Sequence, residues 1–385
     1  MEEPERIAPR ADAALPCHRH TRCGQQVPLE ELFGSLRLAG APRRSHDLDP
    51  TRLDPDFRPE RNGPPMPMDP QIAALLEVMA AKGGKAIGEA TVAEARAGAE
   101  DWVEYGGPGE LVASVVDRYI PGPTADLPIR IYTPAGDGPF PAVVMFHGSG
   151  WVISNIDHAD APHRELANRS GCVVVAVNYQ KAPEHKFPVP LDDCYAAAYW
   201  VVANAARLNV DPALVGVGGD SAGGNIATAS CIRARDEGGP AFAFQLLIYP
   251  AVDLFAPAGR YPSMLENAEG YLLTTAAMDW FYRQYLRDPA EAANPLVSPI
   301  RCSDLSALPA AIVITAELDP LRDEGEAYAD RLAAAGVRTI KRRYDGMTHA
   351  FFWMTGSVDA SHRLIADVAA DIRRVLDPIS PVTGG

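Results

Sequence analysis

Gly219-Asp220-Ser221-Ala222-Gly223-Gly224 constrains this chain more than any other stretch. It follows the strand-like run Ala213-Leu214-Val215-Gly216-Val217-Gly218 and precedes the helix-like run Asn225-Ile226-Ala227-Thr228-Ala229-Ser230. A serine with glycine two residues away on each side, at a strand-to-helix turn, has the layout of a nucleophile elbow. Side chains at 219 and 223 would clash in so tight a turn, so glycine is required there. The pattern predicts Ser221 at a strained backbone position, with its hydroxyl presented at the top of a sheet.

The surrounding sequence alternates strand and helix signals. Helices are expected from Asp69-Pro70, with an acidic cap and an early proline, and over Val92–Val103. Two antiparallel strands, 113–120 and 127–132, come next. Strands at 142–146, 173–177, 214–217, 244–248, 310–315 and 339–344 then alternate with helices at 161–168, 192–208, 221–236, 323–335 and 358–376. The later strands are short, continuous apolar runs, as expected when helices cover both faces. The fold class is therefore α/β, a doubly wound and mostly parallel sheet. An insertion at about 251–301 carries Tyr261, Met264, Tyr271, Met278, Trp280, Phe281, Tyr282 and Tyr285.

Residues 1–65 differ in composition. They hold ten of the 35 prolines, no Lys, Tyr or Trp, and two Phe. Such a segment is expected to be a mostly disordered extension, with a short helix at Leu29–Leu38. Its Cys17-His18-Arg19-His20-Thr21-Arg22-Cys23 cluster is spaced too tightly for an ordinary structural zinc site, so no metal is expected. Met66 or Met68 is the expected natural start. The net charge of −15 argues against nucleic acid as a partner. No apolar run is long enough to span a membrane, the acidic N-terminus lacks a signal-peptide core, and six scattered cysteines suggest no disulfide framework. A cytoplasmic protein is expected, with Cys172, Cys194 and Cys231 as small buried hydrophobes.

A serine hydroxyl needs a base, and the base needs an acid to hold its tautomer. In this fold the chain order should be serine, acid, histidine. Beyond Ser221 only His349 and His362 are available. His349 follows the last strand, at the sheet edge where α/β sites form, whereas His362 falls on an amphipathic helix. Among Asp319, Asp323, Glu324 and Asp345, the first lies at a strand end on the same rim. Asp323 reads as the cap of the next helix and Asp345 as a turn residue. The tetrahedral intermediate needs N–H donors. Ala222 follows the nucleophile, and the loop Met145-Phe146-His147-Gly148-Ser149-Gly150-Trp151 supplies small residues after a strand. His147 is expected to pin that loop rather than act as a base.

These residues carry a resemblance. The chain resembles the bacterial hormone-sensitive-lipase-like carboxylesterases (family IV), in the Gly-Asp-Ser-Ala-Gly subgroup. The matching motifs are His147–Trp151, Asn178-Tyr179-Gln180-Lys181-Ala182-Pro183-Glu184-His185, Gly219–Gly224, Asp319-Pro320-Leu321-Arg322-Asp323-Glu324-Gly325 and Gly346-Met347-Thr348-His349. The resemblance covers about 66–380. It implies an α/β-hydrolase fold with an eight-stranded sheet and a helical cap, built from about 68–105 and part of 251–301. It implies hydrolysis of short- to medium-chain acyl esters with no cofactor. The implied triad is Ser221, Asp319 and His349. The implied oxyanion hole is the Gly148–Gly150 loop with Ala222, the N–H groups coming from Ser149, Gly150 and Ala222. Family members often dimerise through an edge strand, here Thr339–Tyr344. Two departures stand out. Gly148-Ser149-Gly150 replaces the usual three glycines, and Tyr-Gln-Lys-Ala-Pro-Glu replaces Tyr-Arg-Leu-Ala-Pro-Glu.

Trp102, Trp151, Tyr271 and Phe281 are the expected walls of a hydrophobic pocket. Amide, carbamate or lactone hydrolysis on the same triad is the alternative within enzymes. A non-catalytic small-molecule binding protein is the alternative outside them, and the presence of His349 disfavours it.

Overall fold

The computed structural model describes residues 67–257 and 259–377. The expectations for 1–65, including the helix at Leu29–Leu38 and the Cys17–Cys23 cluster, lie outside the described residues.

The described residues open with three helices, α1 (Pro70–Lys82), α2 (Val92–Ala99) and α3 (Trp102–Gly106). Asp69 caps α1 as expected, its carboxylate accepting from Gln71 N with Pro70 in the first position. Thr91 and Glu94 form a reciprocal capping box on α2. The single helix expected over Val92–Val103 is in fact two, with a break after Ala99.

Strands β1 (Ser114–Ile120), β2 (Leu127–Thr133) and β3 (Phe140–Phe146) follow, then α4 (Asp160–Ser170), β4 (Val173–Val177), α5 (Val189–Ala203), β5 (Val210–Asp220) and α6 (Ala222–Glu237). β6 (Phe244–Ile248) leads into the insertion with α7 (Pro262–Glu266) and α8 (Thr275–Tyr285). β7 (Ala310–Leu318), α9 (Arg322–Ala334), β8 (Thr339–Thr348) and α10 (Asp359–Leu376) complete the order.

The eight strands form one sheet in the order β1-β2-β4-β3-β5-β6-β7-β8. β1 and β2 pair antiparallel, β2 pairs antiparallel with β4, and the remaining pairs are parallel. The α/β-hydrolase architecture expected from the sequence is the one observed. β4 (Val-Val-Val-Ala-Val) and β6 (Phe-Gln-Leu-Leu-Ile) are buried at every position, because helices cover both faces. One apolar layer sets Val144, Val175 and Val217 against Ile226 of α6. The other sets Val143, Val174 and Ile312 against Leu364, Val368 and Ile372 of α10.

The register fixes where chemistry can occur. Phe146, at the end of β3, pairs with Val177 and Gly219, and Ile248 pairs with Ile314. The C-terminal ends of the parallel strands therefore share one rim, the usual place for an α/β site. β7 and β8 run further than their apolar cores suggested, because Leu318 still pairs with Thr348. That extension delivers residues 319 and 349 side by side.

Candidate active site

The elbow is built by exclusion. A Cβ on Gly223 would be driven into the Phe146 carbonyl, and one on Gly219 would meet the backbone of Gly223. With no side chain at either place, β5 passes directly into α6. Ser221 is held at φ 55° and ψ −118°, a region that side-chain-bearing residues rarely adopt. Its N–H donates to Ile248 O at 2.8 Å and its carbonyl accepts from Ala251 N and Asn225 N.

Ser221 Oγ lies 2.9 Å from His349 Nε2, and His349 Nδ1 lies 2.7 Å from Asp319 Oδ2. A carboxylate accepts, so Nδ1 carries the proton and Nε2 turns its lone pair to the serine. Asp319 is fully buried, and its other oxygen accepts from Leu321 N at 2.9 Å. Asn267 Nδ2 donates to the Asp319 and Glu317 carbonyls, tying the insertion to the end of β7. The ring of Tyr249 flanks His349, with centroids 4.6 Å apart.

The other candidates fall elsewhere. His362 pairs with Glu165 on the far side of α10. Asp323 does not cap α9, which starts at Arg322 after Leu321. Its carboxylate instead accepts from Arg322 Nε and from Ser263 N. Glu324 is buried and accepts from Val252 N and Asp253 N, bracing the segment beyond β6.

Opposite Ser221 runs the Gly148-Ser149-Gly150 loop. Among the described residues, nothing accepts the N–H of Ser149, Gly150 or Ala222. Gly148 differs from the expectation for it: its N–H is spent on Asp220 Oδ1 at 2.7 Å, so it is no free donor. Asp220 belongs to the elbow motif, but its bond to Gly148 is not legible there. Burial pushes its carboxyl up to about 6, against the pull of the Gly148 N–H. Ser149 is absent from the positive-φ residues, so its Cβ is accommodated without strain, whereas Gly150 stands at φ 54°. His147 stacks on Tyr179 at 4.5 Å and is buried, which drives its pKa well below the ordinary range and suits a structural imidazole.

The second departure is also resolved. Gln180 donates through its backbone and side-chain amide to the buried Asp193 carboxylate. Lys181 donates to Asn178 Oδ1 at 2.7 Å, and burial lowers its pKa to about 8.

Trp102, Trp151 and Phe281 line the pocket over Ser221, with Ile87, Leu272, Leu273, Met278 and Trp353. Tyr271 does not. It is only half-buried, and its neighbours Leu272 and Leu273 face the cavity instead. Among the described residues, the acidic and basic side chains lining the cavity are Asp220 and His349, with no Lys, Arg or Glu. Two stretches of its wall, about 87–102 and 272–282, are tied down by Trp280 Nε1 donating to Ala90 O and by Arg96 of α2. Arg96 bonds the Val152 and Ala182 carbonyls and both oxygens of Glu184.

A serine on a strand-to-helix elbow, facing a histidine backed by a buried carboxylate on this sheet, defines a serine hydrolase of the α/β class. The chain belongs to the alpha/beta hydrolase fold family, whose profile matches residues 143–353. It is a hydrolase of the esterase group, of the hormone-sensitive-lipase-like type. It is 39% identical over 276 residues to the carboxylic ester hydrolase LipN of Mycobacterium tuberculosis, covering 69% of this chain and 73% of that protein. It is 36% identical over 311 residues to an arylesterase of Saccharolobus solfataricus, covering 80% and 99% respectively. A hyperthermophilic esterase from the archaeon Pyrobaculum calidifontis superposes with a TM-score of 0.75 at 41% identity, over 80% of this chain and 98% of that one. Among the described residues, no helix is long and apolar enough to cross a membrane.

Proposed function

We propose that the chain hydrolyses uncharged carboxylic esters with short to medium acyl chains, through an acyl-enzyme on Ser221. The observation that carries the reading is the unbroken line from Asp319 Oδ2 through the His349 ring to Ser221 Oγ. Ser221 Oγ attacks the ester carbonyl while His349 Nε2 takes its proton. The carbonyl oxygen becomes an oxyanion and draws on the N–H groups of Ser149, Gly150 and Ala222. Collapse breaks the bond to the alcohol, which leaves with the proton from His349. A water molecule then gives a proton to His349 and attacks the acyl carbon; collapse breaks the bond to Ser221 Oγ, which takes that proton from His349, and the acid is released.

The mainly apolar lining, with no Lys or Arg among the described residues, supports a neutral substrate. Walls closing from two segments of the chain support a limited acyl length. The open edge at β8 supports pairing with a second copy through Thr339–Tyr344. Four buried free thiols, Cys172, Cys194, Cys231 and Cys302, support a reducing, cytoplasmic setting.

The test is Ser221→Ala with p-nitrophenyl butyrate, alongside labelling by a fluorophosphonate. Folded Ser221→Ala should lose nearly all turnover and all label. Unchanged turnover overturns the assignment. Faster turnover of an amide, carbamate or lactone series than of esters would move the reading to that class.

A further inference from the structure

The serine at 149 has a side chain where the family usually has none. It is buried, and its Oγ lies 2.6 Å from Tyr179 Oη. Tyr179 Oη lies in turn 2.9 Å from the His147 carbonyl oxygen. A phenol has one proton and a carbonyl only accepts, so the Tyr179 proton goes to His147 O. The proton between Ser149 and Tyr179 must therefore come from the serine. Burial holds the Tyr179 phenol well above its ordinary range, so this relay keeps its protons across neutral pH.

The relay begins and ends on one loop. Its two attachment points, at 147 and 149, flank Gly148, whose own N–H is fixed by Asp220. Tyr179 follows closely after Val177, which pairs with Phe146 at the end of β3. The loop is thus gripped on both sides of the peptide that leads to Ser149 N–H, from an anchor with little freedom to move. The serine hydroxyl is committed to Tyr179 and is not offered to a substrate.

We propose that the Ser149 hydroxyl is a positioning group, fixing the N–H groups of Ser149 and Gly150 where the oxyanion forms. This rests on the reading of those N–H groups as oxyanion donors. Misplaced donors weaken transition-state binding but leave ground-state binding nearly untouched, so kcat should suffer and KM should not.

The experiment compares the full chain, Ser149→Ala, Tyr179→Phe and the double variant. It measures kcat and KM on p-nitrophenyl butyrate and the affinity of an alkyl trifluoromethyl ketone, whose adduct with Ser221 carries an oxyanion. Ser149→Ala should lower kcat about tenfold, below the 10²- to 10³-fold typical of deleting a donor outright, with KM nearly unchanged. Ketone affinity should fall by the same factor. In the Tyr179→Phe background, Ser149→Ala should cost nothing further. An equal cost in both backgrounds, or a Ser149→Ala enzyme with the parent's kcat and ketone affinity, overturns the positioning role. Should Tyr179→Phe fail to fold, the single variant's kcat and ketone affinity decide. A parent chain with neither ester turnover nor fluorophosphonate labelling overturns the esterase reading itself, an outcome distinct from an active parent matched by Ser149→Ala.

Discussion

Asp319 Oδ2 accepts from His349 Nδ1 at 2.7 Å, in a position sealed from solvent. The carboxylate sets which ring nitrogen carries the proton. An amide of the same shape would present an N–H there and favour the wrong tautomer. Asp319→Asn should therefore lower kcat on the order of 10⁴-fold while leaving the melting temperature near that of the parent. Steady-state kinetics with p-nitrophenyl butyrate check this, and a loss under tenfold would contradict the role.

Asp220 reaches across from the elbow to hold Gly148 N–H. Removing the acceptor leaves that N–H buried and frees the loop facing Ser221. Asp220→Ala should lower kcat about 10²-fold, since small displacements of catalytic groups cost on that order. Asp220→Asn keeps an acceptor oxygen and should lose less. Equal losses for the two variants would show that the bond to Gly148 is not what matters.

Phe281 presses its ring against Gly150 and closes one side of the pocket. The parent should turn over C4–C8 p-nitrophenyl esters faster than C16. Phe281→Leu keeps an apolar contact but shortens the wall. It should raise the C12-to-C4 ratio of kcat/KM by about tenfold, the low end of size effects in hydrophobic pockets. An unchanged ratio would remove Phe281 from the acyl wall.

Asp193 is fully buried, Gln180 is its hydrogen-bond partner among the described residues, and burial pushes its carboxyl up to about 6. The folded state thus keeps a proton that the unfolded chain releases near pH 4. Its stabilising contribution is complete below the unfolded pKa and is lost as pH rises through about 6. Asp193→Asn should match the parent in unfolding free energy at about pH 4 and gain on it up to about pH 7, by at most about 3 kcal/mol. Calorimetry across that range tests it, and a pH-independent difference would refute it.

The sequence reading was strongest where one segment carries its own geometric requirement. The glycines around Ser221 declare the elbow, and His349 lies within hydrogen-bond distance of both Ser221 and Asp319. It was weaker wherever a contact joins distant segments. The Asp220–Gly148 bond spans 72 residues and the Ser149–Tyr179 bond spans 30, and neither has a local signature. Asp323 looked like a cap because it precedes a helical stretch. Leu321 N instead finds its acceptor in Asp319, and Arg322 already begins the helix. Tyr271 was expected in the pocket for its aromaticity, but the insertion's backbone turns Leu272 and Leu273 inward. Strand ends were misjudged for a related reason. Apolar runs report burial, whereas Leu318 and Thr348 are joined by ladder pairing.

The Phe146 carbonyl leaves no room for a side chain at Gly219 or Gly223, and His147 and the loop with Ser149 begin at the next peptide. The Ser221 oxygen and the proposed donors thus hang from a common fulcrum. A bulkier residue at 223 would act as a wedge at that fulcrum, prising the two halves of the machinery apart while each stayed intact.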